Sequence, residues 1–319
     1  MKTDVVCVGQ SCVDVLVRGL NLSKPFENEL TEAESLNLAA GGDCVNQSIV
    51  MARLGLKSKL VCGVGRDQAG IFLSNVVASS GADVASLIYP EGYPTAITMV
   101  VVSPDGQRSF ISTLTKNRIT FEPDLEAFRD TKVVSLASLM LPPFTTAHSV
   151  RRIIDVAKSQ GSLVCADVMA HKELCSFEDF YSVLPDIDYI FPNDGEARTI
   201  TGKEDLDEMA DTLLGLGIKN VIIKIGKRGC FFKNKETRLI VPTFDSPVVD
   251  TTGAGDNFAS GFIVALLEGR PIKECCTFAN AVASIAVQSI GANTGVTDRA
   301  QVEDFIKKTE PLYIETPSF

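Results

Sequence analysis

The 319-residue chain has no tryptophan, two histidines and no paired C-x-x-C spacing. With His148 and His171 alone, a histidine-rich metal centre is not the chemistry to expect. Nine cysteines, at positions 7, 12, 44, 62, 165, 175, 230, 275 and 276, are odd in number and sit in apolar settings such as Val-Val-Cys-Val. They read as buried free thiols in a reducing compartment. No cluster of Lys or Arg relieves a formal net charge of −10. That argues against nucleic acid or an anionic membrane surface as the main partner. A phosphate-bearing substrate must then be met by local donors or by a metal. No apolar run approaches the length of a membrane span, and Asp4, Gln10 and Asp14 interrupt any signal-peptide core behind the initial Met-Lys. The expected compartment is the cytoplasm. G-x-x-x-x-G-K-[ST] is missing, which excludes a Walker-type phosphate loop, and the run from Gly253 fails as G-x-G-x-x-G because Phe258 holds the last position.

What is present is a glycine-rich helix start late in the chain. Asp250-Thr-Thr-Gly-Ala-Gly-Asp256 leads into bulky apolar residues at 258, 262, 266 and 267, a helical spacing stopped by Gly269 and Pro271. Gly253 and Gly255 let a ligand approach the backbone. The unpaired amides and the helix dipole favour an anion. Asp256 beside such an anion hole suits a base that takes a proton from a hydroxyl attacking a phosphate. The competing reading makes Thr251 and Thr252 an N-cap and leaves Asp256 to offset the dipole.

Apolar residues make up 45% of the chain, enough for a sizeable core. Val5–Val8 is the usual first buried strand of an α/β sheet. Asp14 follows, a lone acid where open α/β sheets bind ligands, or else a solvated edge residue. Residues 19–38 read as an irregular excursion. Gly41-Gly42-Asp43 then opens a helix that ends at Gly55; with Asn46 it suits sugar hydroxyls, or it is a turn with Asp43 as cap. A strand at 59–62, a helix over 68–80 and a strand at 84–88 follow. Residues 96–102 and 108–112, around a Pro104-Asp105-Gly106 turn, read as a β-hairpin that with the excursion builds a small lid sheet. Beyond residue 130, strands are expected at 132–137, 163–166, 188–191 and 220–225. Helices are expected at 145–160, 172–184, 194–201, 205–216, 257–268, 272–290 and 298–307. This alternation implies a parallel sheet covered on both faces. Asn193 and Glu196 stand three apart at a helix start, either to organise a hydrated Mg²⁺ or as a capping box. Lys224, Gly226 and Gly229 offer close backbone approach and positive charge, or a plain hairpin turn. Asn280 lies in a small-residue helix with room for a flat base, or with tight packing instead.

These landmarks, in this order, resemble the ribokinase-like (PfkB) family of carbohydrate kinases over nearly the whole chain. The resemblance implies an α/β fold: a ribokinase-like three-layer αβα sandwich with a mainly parallel central sheet and a small β-sheet lid. One kinase domain over 1–319 is implied, with lid segments at about 15–38 and 94–116. The implied activity is transfer of the γ-phosphoryl group of ATP to a sugar hydroxyl. Asp256 would be the base, and Gly253, Ala254 and Gly255 the anion hole. Asp14, Gly41, Gly42, Asp43 and Asn46 would meet the sugar. Asn193, Lys224, Gly226, Gly229, Gly253, Gly255 and Asn280 would line the nucleotide. Glu196 would serve Mg²⁺, directly or through water. Asp250, Thr252, Ala286, Ser289, Gly291 and Gly295 match a monovalent-cation loop, so K⁺ is left open. A nucleoside kinase of the same family, or an inactive sugar- or nucleotide-binding regulator on the kinase scaffold, is the alternative.

The chain departs from ribokinases at three places. Asp43 stands where they carry Lys, Ser138-Leu139-Met140-Leu141-Pro142 where they offer a Glu, and Ser289 where Arg is common. Asp14 and Asp43 in one pocket accept hydrogen bonds from neutral hydroxyls and repel an anionic acceptor. A small neutral sugar is therefore expected with ATP. Arg18, Arg108, Lys116 and Arg118 are the lid cations whose approach would reverse that expectation. A homodimer through the lid is expected, because an exposed sheet face invites association.

Overall fold

The computed structural model describes residues 3–20, 30–102, 108–113, 123–144, 146–170 and 175–312. Eight strands form one sheet: β1 (Thr3–Val8), β4 (Ser58–Val61), β7 (Thr131–Leu139), β8 (Leu163–Val168), β9 (Tyr189–Ile190), β10 (Asn220–Lys224), β11 (Cys230–Lys233) and β12 (Arg238–Val241). Their order is β12-β11-β10-β9-β8-β7-β1-β4. The six from β4 to β10 run parallel; β11 and β12 turn back antiparallel at one edge.

Strand alternation sends side chains into two cores. Val5, Cys7, Val133, Cys165 and Ile222 join one, with α1 (Asp43–Arg53), α2 (Gln68–Ser79), α6 (Ala254–Leu267), α7 (Ile272–Ala286) and α8 (Arg299–Lys308). Val6, Val8, Val134, Val164, Val221 and Ile223 join the other, with α3 (Ala147–Ser159), α4 (Asp194–Thr201) and α5 (Leu206–Gly215). This is the three-layer αβα arrangement. Phe262 of α6 packs edge-on against Phe191 at 5.3 Å and tilted on Tyr189 at 5.5 Å. Truncating such a fully buried ring costs about 3–5 kcal/mol. That anchorage holds the start of α6 over the carboxyl ends of the parallel strands.

A separate four-stranded sheet has the order β3-β2-β5-β6, from β2 (Cys12–Arg18), β3 (Ser35–Gly41), β5 (Ile97–Val102) and β6 (Arg108–Ser112). The expected hairpin is its β5–β6 pair. The turn expected at Pro104-Asp105-Gly106 lies outside the described residues, as does the middle of the early excursion, 21–29. The end of that excursion is ordered as β3, paired antiparallel to β2.

Several expectations are corrected. No long helix covers 172–184; the described part holds two short 3-10 turns, Phe177–Phe180 and Leu184–Asp186. Pro185, just past the segment, sits in the second of these turns and cannot donate the N–H that would continue a helix. The strand expected at 84–88 is reduced to isolated bridges of Asp83 to Lys59 and Ile88 to Gly63. Helix α7 stops at Ala286 rather than 290, because the chain beyond it wraps Asp250: the Gly291 amide donates to Asp250 Oδ2 at 2.9 Å. All nine cysteines are free thiols, eight of them buried. No helix among the described residues is long and apolar enough to cross a membrane.

Candidate active site

Residues from several strands and helices converge where the parallel strands end. Helix α6 begins at Gly253, which holds φ 72°. An L side chain resists that conformation, and a Cβ there would come within 2.5 Å of Ala292 Cβ. The helical ladder starts with the Asn257 amide on Gly253 O at 2.9 Å, so Gly255 and Asp256 have no carbonyl of their own helix to bond. The Ala254 amide leans back to Thr251 O at 3.3 Å, a long contact, so of the three amides assigned to the anion hole this one is partly engaged. Helix α1 begins in the same way at Gly42, φ 94°, where a Cβ would meet Gln10 O at 2.4 Å.

Asp256 is buried in the first turn of α6. Asn46 Nδ2 donates to its Oδ2 at 2.8 Å and Gln47 Nε2 reaches its Oδ1 at 3.4 Å. Burial, then the carboxylates of Asp43 and Asp167, push Asp256 well above the usual carboxylate range; the Asn46 donor and Lys224 oppose them. Asp43 is pushed up to about 7 by burial and by Asp167. Two of the departures from ribokinases meet here: Ser138 Oγ donates to Asp43 Oδ2 at 3.0 Å. Asp14 is pushed up to about 6 by burial, and Cys12 Sγ donates to its Oδ1 at 3.3 Å. Gly41 is required beside it, since a Cβ would lie 2.1 Å from Asp14 Oδ2.

Lys224, the last residue of β10, is the cation these acids share. Its Nζ donates to Asp167 Oδ1 at 2.8 Å and lies 2.9 Å from where a Gly255 Cβ would be. Burial works to lower its pKa, but Asp167 and Glu196 outweigh burial and raise it. Glu196 is pushed up to about 7 by burial, with Asp167 adding and Lys224 opposing. The capping box is formed: Asn193 Oδ1 accepts from the Glu196 amide at 2.8 Å, and Glu196 Oε2 accepts from the Asn193 amide at 2.7 Å.

Beside this cluster lies an open cleft of about 600 Å³. Its polar wall holds Asn193, Lys224, Gly226, Gly229 and Gly255, and its apolar wall Val248, Phe258, Ala283 and Val287. Gly226 and Gly229, at φ 59° and 92°, form the β10–β11 hairpin turn. Asn280 lines the cleft, but its Nδ2 is committed to the carbonyls of Val241 and Pro242, both at 3.0 Å, and so pins α7 to the end of β12. Asp250 Oδ1 accepts from the Thr252 amide and hydroxyl at 2.9 and 2.7 Å. Gly295 lies against Ile285 O and Ala286 O, which a Cβ would approach within about 3 Å. The Ser289 amide bonds Ala286 O at 3.2 Å, so Asp250, Thr252, Ala286, Ser289, Gly291 and Gly295 do gather in one loop.

Sequence reasoning missed Asp167, Gln47, Ser135, Asn257 and Asn293. Asp167 carries the same signal that singled out Asp14, an acid at the carboxyl end of a buried strand. The others announce themselves only through contacts between residues far apart in the chain. Arg18 is exposed and 3.4 Å from Glu34. Lys116, Arg118 and the side chain of Arg108 lie outside the described residues.

The model of the pfkB family carbohydrate kinases matches residues 2–299. A ribokinase from Haemophilus influenzae is 27% identical over 312 residues, covering 96% of this chain and 99% of its own. An ATP-dependent 6-phosphofructokinase from Thermoanaerobacterium thermosaccharolyticum is 28% identical, covering 93% and 92%. The solved structure of Arabidopsis thaliana ribokinase complexed with ribose and ATP superposes with a TM-score of 0.83 at 28% identity, covering 96% of this chain and 99% of that one.

Proposed function

We propose that this chain, which belongs to the pfkB family of carbohydrate kinases and is therefore a phosphotransferase, transfers the γ-phosphoryl group of ATP to a hydroxyl of a neutral sugar. The observation that carries this reading is Asp256 itself. It is buried at an uncapped helix start, its carboxylate held by two amide donors, with Lys224 across Gly255. ATP lies in the cleft with its γ-phosphoryl group over the Gly255 and Asp256 amides. Asp256 accepts the proton of the acceptor hydroxyl as that oxygen attacks phosphorus in line, and the β–γ bridging oxygen leaves with ADP. Phosphoryl transfer asks chiefly for alignment and charge stabilisation, and the site supplies both without a Walker loop.

The donor set suits Mg²⁺ arriving with the nucleotide. Asp43, Asp167, Glu196 and Asp256 are set against one ammonium group, so a triphosphate needs a further cation to settle beside them. Among the described residues no group of three or more His, Cys, Asp or Glu is arranged to hold a metal directly. Mg²⁺ would therefore keep most of its ligands as phosphate and water, with Glu196 and Asp167 facing it. It would neutralise charge on the β- and γ-phosphates.

The second sheet serves as the lid, within one kinase domain. The register puts Asp14, Thr98 and Ser112 in one row toward the acceptor. The opposite row runs Leu38, Val15, Met99 and Ile111, with Leu38 60% and Ile111 63% exposed. That apolar face fits a second copy of the chain. Light scattering at micromolar concentration should give a dimer mass; monomer alone would remove the dimer.

Among the described residues the acceptor end offers carboxylates and one lysine already paired with Asp167. An acceptor phosphate would be repelled there, so ribose or fructose is favoured over a sugar phosphate or an acid sugar. A nucleoside is also neutral, but its base would want an aromatic platform, and the chain has no tryptophan and little aromatic content in the sequence near Asp14 or Asp43. The test is kcat/KM for fructose, ribose, fructose 6-phosphate, 2-keto-3-deoxygluconate and adenosine. A preference for either anionic acceptor would overturn the charge argument.

A further inference from the structure

The hydrogen bonds that reach Asp256 start from a group without a choice. The carbonyl oxygen of Ala40 can only accept. Asn293 therefore turns its amino group to it, Nδ2 donating at 2.8 Å. The same Nδ2 donates at 2.8 Å to Asn46 Oδ1. A side-chain amide that offers its oxygen to one neighbour offers its nitrogen to the other. Asn46 thus presents Nδ2 to Asp256 Oδ2, at 2.8 Å. A reversed Asn46 would set a carbonyl oxygen against a carboxylate oxygen in a buried site, where unmatched acceptors cost most. Asn46 is 4% exposed and Asn293 5%, so water is in a poor position to repair the mismatch.

We propose that Asn293 is a positioning residue for phosphoryl transfer: it locks the Asn46 amide so that the base is held oriented, with an acceptor oxygen facing its donor. The proposal rests on the reading of Asp256 as base. A protonated Asp256 Oδ2 would meet the Asn46 amino group donor to donor, so the lock also disfavours the inactive form of the base. Gln47 repeats the design more loosely. Ser135 Oγ donates to Gln47 Oε1 at 2.7 Å and Gln47 Nε2 reaches Asp256 Oδ1 at 3.4 Å. A hydroxyl rotates and that last contact is long, so the Asn293 lock is the firmer of the two.

The position of Asn293 gives the lock a second use. It stands between Gly291 and Gly295 in the loop that wraps Asp250. Its backbone oxygen accepts from Arg53 Nη1, and the neighbouring Ala292 O accepts from Asn257 Nδ2 at 2.6 Å. One side chain therefore carries the position of that loop to the base. The charged and titratable groups facing Asp256 are Asp43 of α1, Asp167 of β8, Lys224 of β10 and the Cys7 thiol of β1. The two carboxylates favour its protonated form, while Lys224 and the Asn46 donor oppose them. Releasing Asn46 removes one of the two opposing groups.

The experiment compares Asn293→Leu, Asn46→Leu and the double variant, following kcat, the KM for each substrate and the pH profile of kcat/KM. Asn293→Leu should lower kcat by about tenfold, the weight of one buried hydrogen bond, and leave the KM for ATP unchanged. The acid limb of the profile should move to higher pH. In the Asn46→Leu background the same substitution should change kcat by less than about twofold, since its effect runs through Asn46. Unchanged kcat and acid limb, or a full multiplicative loss in the double variant, overturns the proposal. Asn293→Asp keeps the shape and puts an acceptor where the donor stood, so it answers the question if the leucine variant does not fold; wild-type kinetics there also overturns it. Asp256→Asn in parallel separates the two ideas. If that variant turns over normally, the base assignment fails, whatever Asn293 does.

Discussion

Helix starts differ between the catalytic cluster and the rest of the molecule. Away from it, α2, α3, α5 and α8 are each capped by a side chain, Asp67, Thr146, Asp205 and Asp298 respectively, which accepts from the first-turn amides. At the cluster, α1 and α6 start at Gly42 and Gly253, both in left-handed or related positive-φ conformations and neither with a side-chain cap. A side-chain cap is worth about 1 kcal/mol, so an uncapped start forgoes stability. What it gains is first-turn amides that no side chain of the fold caps, as at Gly255 and Asp256 of α6. Helix α7 starts at Pro271 without a side-chain cap too, and with no part in the cluster, so a missing cap alone is not a sign of function. Glycine, positive φ and an acid in the first turn, all together, distinguish α1 and α6. Helix α4 is the intermediate case: it borders the cleft, yet its capping box is closed.

Removing the acid from the open start of α6 should have the largest effect. Asp256→Asn keeps shape and most hydrogen bonding, and turnover should fall by about 10²–10⁴-fold, the range of a general base. Steady-state kinetics together with ATP binding would show it, because affinity for ATP should hardly change. Next comes the space above the amides. In Gly255→Ala the new Cβ meets Lys224 Nζ, whose chain end can shift only by disturbing its bond to Asp167. Turnover should drop by about 10²–10³-fold, as when one oxyanion donor is lost. A variant at wild-type rate would show that the start of α6 is not where charge develops.

The open start of α1 should show itself in stability. Asp43 is pushed up to about 7, above its unfolded value, so the folded chain binds an extra proton between the two values. Its charged form therefore opposes folding increasingly as pH rises from about 4 to about 7. Asp43→Asn should raise the melting temperature at pH 8 by about 2–4 °C, the shift from about 1 kcal/mol, and by less at pH 5. Equal shifts at both pH values would point to packing instead. The smallest effect belongs to the closed start of α4. If Glu196 acts only as a cap, Glu196→Gln should lose about 1 kcal/mol or less and keep its Mg²⁺ dependence. If it also faces the hydrated ion, the Mg²⁺ needed for half-maximal activity should rise. A thermal melt and a Mg²⁺ titration on one preparation separate the two.

The same contrast explains what could be read from the residues alone. Local chemistry was legible: the glycines and acid at 253–256, the Asn193–Glu196 capping box, the alternation of strands and helices. Each depends on neighbours within one turn or one strand. The apolar spacing places the start of α6 at Asn257, but the helix begins three residues earlier, because glycine and alanine carry no apolar period to reveal the first turn. Strands β11 and β12, only four residues each, are not among the strands expected from the sequence. Asp256 was legible; what holds it was not. Asn46 and Gln47 reach it from 210 and 209 residues away, and Asn293 reaches Asn46 across 247. The sequence points Asn46 toward a sugar, and its bond to Asp256 appears only once the two helix starts are brought face to face.

The most direct test of the account follows phosphorus by NMR while the wild-type chain is mixed with Mg²⁺, ATP and ribose or fructose. Phosphorus leaving ATP should appear as a sugar phosphate ester, in step with ADP, and Asp256→Asn should slow the growth of both signals together by about 10²–10⁴-fold. ADP accompanied by inorganic phosphate alone, or no turnover with any neutral sugar, would contradict it.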